Sequence, residues 1–267
     1  MRTSNPVLTK VAVEQPDRGL DDILRGEPAT GTDQPRGPIS TGRDVVTVEG
    51  VIASTLIMLA ILAVGAVIGW SQVSDAEALA GRLPVWTIVG VFASLGLALG
   101  AVFRPQWARL LAPAYAGVTG VWVGAISKVY EVRFDGIVLQ AVGLTVATFF
   151  LMLVLFLNGT IRATPRFRAA IISATGAIVL VYLASWVLRI FGAEVPFIHD
   201  SGPIGILISL AILAVAALNL ILDFDAIERT VAAGAPAELR WLLSLGLVVT
   251  LVWLYLEFLR LLSKIRR

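Results

Sequence analysis

The sequence predicts an all-α protein: a polytopic membrane bundle of seven transmembrane helices. Three observations carry that prediction. The 267 residues are 57% hydrophobic and only 15% charged, with a mean hydropathy of +0.86. Soluble domains average roughly 45–50% apolar and about 25% charged. Seven apolar runs follow one another between residues 46 and 262, each near the ~20 residues a helix needs to cross a ~30 Å hydrocarbon core. The connections between the runs are short and hold turn residues: FRPQ at 103–106, NGT at 158–160, TPR at 164–166 and GAP at 234–236. Such a chain is neither an ordinary soluble enzyme nor a DNA reader.

Residues 1–44 stand apart. They hold a third of all the Asp, Glu, Lys and Arg, and Pro, Gly and Asp punctuate them. No apolar core follows the first basic residues, so the stretch does not read as a secretory signal. It reads as a mostly disordered polar tail, ahead of a seven-helix domain at 45–267. The short apolar piece Pro6-Val7-Leu8 is its one docking candidate.

The spans follow in order: Val46 to Trp70, Pro84 to Phe103 with Pro in the first turn, Ala108 to Ser127, Gly136 to Asn158, Phe167 to Phe191, Pro203 to Asp223 and Trp241 to Leu262. Trp70, Trp86, Trp107 and Trp241 mark span ends, as an interfacial aromatic belt requires. Glycines four apart (Gly65 and Gly69, Gly96 and Gly100, Gly120 and Gly124) predict close helix packing. Lys and Arg total 21, and the larger share falls inside if the N-terminus is cytoplasmic. The basic end LSKIRR also favours the cytoplasm, so a last helix that does not fully cross stays open.

The chain has no cysteine and one histidine, His199 in a loop, so thiolate chemistry and any site needing two imidazoles are excluded. The net charge of +2 gives no reason to expect a nucleic-acid partner. No GxGxxG, P-loop, HExxH or GxSxG string occurs, and neither acid discussed below sits in a GxGD motif. We therefore expect no enzymatic activity and no resident cofactor.

The informative residues are ionisable groups inside spans, which are expensive there and serve ion paths, relays or pairs. Asp223 and Asn219, four apart, share a helix face. Asp225 lies about 200° around the helix from Asp223, so at most one of the two points inward. Asp225 is spaced to pair with Arg229, leaving Asp223 as the inward acid. Glu257 follows nine uncharged residues, and Arg260 three positions on is placed to neutralise it. Gln140, Thr145, Thr148, Ser173, Thr175, Ser185 and Ser209 are expected to bond backbone or a neighbouring helix.

Four strings, GAISKVYE at 124–131, GIVLQAVGLTVATF at 136–149, GPIGILISLAILAVAALNLILDFDAIE at 202–228 and LVWLYLEFLRLL at 251–262, resemble the Bax inhibitor (TMBIM, YccA-like) membrane family. The start SNPV at 4–7 is similar to its actinobacterial-type branch. The resemblance implies a bundle whose last helix is surrounded by the other six. Bacterial members are described as pH-sensitive calcium leak proteins of the inner membrane. In that pattern an acid ending the sixth helix meets an acid in the seventh. Asp223 matches the first by its place in LxD, and Glu257 the second by its place in LYLxF. Two carboxyls in a dry bundle would share a proton. Losing it would open the bundle and offer hard oxygen ligands to Ca²⁺. With the turn at GAP, straight helices put these acids roughly 15 Å apart in depth, so pairing requires a tilt or nonhelical residues near 229–240. Arg104, at the inner end of the second span, is the positional candidate for a basic latch. Some relatives instead bind a membrane quality-control protease, which makes a non-conducting adaptor acting through the tail the second expectation.

Overall fold

The computed structural model describes residues 45–190 and 202–266; the tail at 1–44 and His199 lie outside the described residues. Before the first helix, Val45 bridges Pro236 and the Val46 N–H donates to the Ala235 carbonyl at 2.8 Å. Thr47 then caps α1 (Val48–Ser71), its hydroxyl accepting from the Gly50 N–H at 3.1 Å. Glu49 in the first turn suits the positive end of the helix dipole.

A short helix, α2 (Asp75–Ala80), was not expected from the apolar runs. Ser74 and Glu77 form a reciprocal capping box at its start, and Gly81 at φ 65° ends it. α3 (Val85–Phe103) begins just after Pro84, which is the cap residue and not a first-turn residue. A 3₁₀ turn at Pro105–Trp107 leads into α4 (Ala108–Arg133). The Glu131 carboxylate near the end of α4 accepts from the Gly136 and Val138 N–H groups at 2.8 and 2.9 Å. It satisfies donors that the start of α5 (Ile137–Leu157) leaves without intrahelical partners. α6 (Pro165–Ile190) is capped by Thr164, whose hydroxyl accepts from the Phe167 N–H. α7 (Pro203–Ala232) and α8 (Leu239–Ile265) form the final hairpin, with Gly234 at φ 61° in the turn.

Seven of these helices, all but α2, are long and apolar enough to cross a membrane. The expected run ends were too short in two places. α4 continues past Ser127 to Arg133, and α7 continues past Asp223 to Ala232. In α7 no Gly or Pro intervenes before Gly234. The Arg229–Asp225 pair and the Thr230 hydroxyl, which donates to the Ala226 carbonyl, keep its polar end helical. Asp223 is thus inside a helix and not at its end.

The expected glycine interlock is found between α1 and α4. A Cβ on Gly69 would fall on the Val121 carbonyl, one on Gly124 on the Ala66 carbonyl and one on Gly120 on the Leu62 carbonyl. Gly96 differs: its Cβ would meet nothing within 4 Å.

α8 is the central helix. One side joins a core with α1, α3 and α4 through Leu245, Val248 and Val252. The other joins α5 and α7 through Leu247, Leu254, Phe258 and Leu259. Over its most apolar stretch 56% of α8 is buried, against 6% for α6. Among the described residues α6 runs close to α7 alone.

Candidate functional site

The α7–α8 hairpin sets which residues face each other. Both helices run unbroken to the turn at 233–238, so positions equally far from the turn are opposite. Asp223 therefore meets Gly246 and Thr250. A Cβ on Gly246 would sit 3.7 Å from Asp223 Oδ1, and the Thr250 hydroxyl lies beside the carboxyl. Glycine at 246 lets the carboxyl lie against the backbone of α8. Asp223 Oδ2 is buried and has no hydrogen-bond partner among the described residues.

Glu257 sits seven residues beyond Thr250, about 10 Å further along the axis. Only 1% of it is exposed. Its Oε1 accepts from Arg260 Nη1 at 2.7 Å, from the Tyr182 hydroxyl at 2.8 Å and from Trp253 Nε1 at 3.2 Å. Arg260 Nη1 also donates to the Tyr182 hydroxyl, and its guanidinium stacks 4.9 Å from the centre of that ring. Glu257 Oε2 is buried without a hydrogen-bond partner among the described residues. The structure does not bring Asp223 and Glu257 together. Of the two routes to pairing, tilt or nonhelical residues near 229–240, the second is limited to the turn, since α7 stays helical to Ala232 and α8 starts at Leu239. The pairing of Glu257 with Arg260 read from the sequence is present.

The other sequence candidates separate. Asp225, on the far side of α7 from Asp223, accepts from Arg168 at 2.9 Å and from Arg229 at 2.7 Å. Asn219 turns to α6, its Nδ2 donating to Thr175 Oγ1 at 2.9 Å and to the Val215 carbonyl at 2.8 Å. Arg104 is exposed at the end of α3 and makes no ion pair among the described residues. It latches neither acid: Glu257 pairs with Arg260 and Asp225 with Arg168 and Arg229, and no ion pair joins Arg104 to Asp223 among the described residues. Thr145 and Ser185 bond backbone carbonyls four residues back, as expected.

Of the partners on α6, sequence reasoning named Thr175 as bonding backbone or a neighbouring helix and missed Arg168 and Tyr182. Arg168, Thr175 and Tyr182 are spaced by seven residues, two helical turns, and so share one face. Each reaches a residue flagged above: Asp225, Asn219 and Glu257. That spacing was the available signal. Lys264, read as part of a basic end, is buried; its Nζ donates to the Gly205 carbonyl at 3.0 Å and to Ser209 Oγ at 2.9 Å.

The oxygens near Asp223 and Glu257 are hard donors of the kind Ca²⁺ takes. Among the described residues no three His, Asp or Glu gather as a metal site would require.

A bundle of seven apolar helices whose central member is lined by buried acids is a multi-pass helical membrane protein. A family model described as Bax inhibitor 1 like matches residues 5–267. The chain belongs to the Bax inhibitor 1-like family. Comparison with curated proteins finds no match.

Proposed function

We propose that the chain is a proton-sensitive cation leak of the bacterial inner membrane, non-enzymatic and without a resident cofactor, with Ca²⁺ as its cation. One observation carries the reading: two buried carboxyls lie at different depths along α8, each with an oxygen that has no hydrogen-bond partner among the described residues. A carboxyl inside a span is costly unless it serves a path, a relay or a pair. Among the described residues Asp223 makes no ion pair, so it is the group whose proton decides the local charge. Protonated, it is neutral and offers a passing cation little. Deprotonated, it places a negative charge and two hard oxygens against α8. Flux then rises with pH. Glu257 already has Arg260 as its counter-charge and is a second stop, not a partner of Asp223.

The test is calcium entry into dye-loaded proteoliposomes across pH. Asp223→Asn is expected to flatten the pH profile while some flux remains. A profile identical to wild type removes Asp223 from gating, and no flux above empty vesicles at any pH removes the leak.

A second reading is a non-conducting adaptor that engages a membrane quality-control protease through residues 1–44. Its support is the anchoring of Val45 and Val46 on the α7–α8 turn, so the described domain begins at the central hairpin. Deleting residues 2–43 separates the two: a leak keeps its flux, whereas an adaptor loses its partner in a pull-down. By the Lys and Arg distribution the N-terminus is cytoplasmic.

A further inference from the structure

α6 is held to the bundle unlike the other spans. Its large apolar side chains, among them Ile172, Leu180 and Leu183, are exposed, and Ile171 is its one buried large apolar residue among those described. Lipid tails are as apolar as Leu, so such a helix gains little from apolar burial, and polar contacts become the adhesive. α6 has three such contacts on one face, two turns apart: Arg168 to Asp225, Thr175 to Asn219 and Tyr182 to Glu257. The first two go to α7, to which α6 already lies close. The third spans the gap to α8, which no part of the described α6 backbone approaches closely. It is also the only one of the three that ends on a buried residue of the central helix.

We propose that Tyr182 is a tie that seats the far half of α6 on the central helix, holding closed a lateral opening beside Glu257. The hydroxyl does this by working in both directions. It accepts from Arg260 and donates to Glu257, so the carboxylate and guanidinium of α8 share one α6 oxygen. Without that hydroxyl the ion pair within α8 persists, and α6 keeps its two polar contacts to α7 and only the stacking of the Tyr182 ring on Arg260 toward α8. The far half of α6 then swings about its Arg168 end. This deepens the leak reading, since the opening would expose Glu257, but the position of α6 can be read without any flux.

The chain has no cysteine, so introduced pairs can be spin-labelled without background. One pair, Leu183→Cys with Leu139→Cys, reports the far half of α6 against α5. A second, Arg166→Cys with Leu157→Cys, reports the near end. All four positions are exposed. In lipid nanodiscs, Tyr182→Phe and Glu257→Gln are each expected to lengthen and broaden the far distance and leave the near one unchanged. A far distance unmoved by both variants overturns the proposal. So does an equal change in both pairs, which marks general loosening. Movement in Glu257→Gln alone overturns the part given to Tyr182. If either variant fails to fold, the other decides. Flux in the same preparations is a separate readout: an absent wild-type leak with a moving α6 refutes the leak and leaves the tie standing.

Discussion

Gly69 and Gly124 show how single residues set helix spacing in this protein. Each lies where a methyl group would overlap a carbonyl of the facing helix, and backbone there cannot move aside as a side-chain tip can. Gly69→Ala is expected to destabilise the bundle by about 1–3 kcal/mol, the usual cost of overpacking a close-packed core. Gly96→Ala is the control. It meets nothing within 4 Å, so it should be neutral or stabilise by up to about 1 kcal/mol through helix propensity. Thermal unfolding of both variants in the same detergent checks the contrast; equal midpoints would refute the interlock. The acids divide in a similar way. The inward direction of Asp223 followed from its angle to Asp225. The environment of Glu257 did not, because Tyr182 lies seventy-five positions away and no local pattern links them.

Among the elements, α2 depends on its cap. It is six residues long, too short to persist on propensity alone. The Ser74 N–H and hydroxyl both donate to the Glu77 carboxylate, at 3.0 and 2.7 Å. These bonds hold the Glu77 carboxyl below its ordinary value. A lowered folded value means that the contribution is complete above the ordinary glutamate range and is lost as pH falls through the folded value. α2 is therefore expected to fray below the ordinary range, read as faster amide exchange at residues 77–80 after correction for intrinsic rates. Glu77→Gln should abolish that pH dependence, and an unchanged dependence would refute the cap as its origin. The Ser-x-x-Glu string was legible in the sequence but was hidden by a search for apolar runs. The boundaries of α4 and α7 were missed for the same reason: a helix leaving the membrane becomes polar without ceasing to be a helix.

For the molecule as a whole, seven helices long and apolar enough to cross lead us to expect the two termini on opposite faces. α8 spans Leu239–Ile265, about 40 Å at 1.5 Å per residue, which is longer than the ~30 Å core. The helix is therefore long enough to cross fully, and the burial of Lys264 against α7 shows how one charge of its basic end is housed. A cysteine at residue 3 is expected to be shielded from an impermeant thiol reagent in intact cells, and one at residue 267 to react. Labelling of both would overturn the seven-crossing topology, and the reverse pattern would overturn a cytoplasmic N-terminus.

The sequence by itself determined the class of fold, the number of apolar spans, the glycine pairs that allow close packing and the short list of intramembrane acids. All of these rest on composition and on periodicities within one helix, which the chain carries locally. Tertiary structure decided what those acids meet. Asp223 faces Gly246 and not Glu257, because two straight helices joined by a short turn match residues by their distance from that turn. Glu257 meets Tyr182, because α6 reaches the central helix there only through a long side chain.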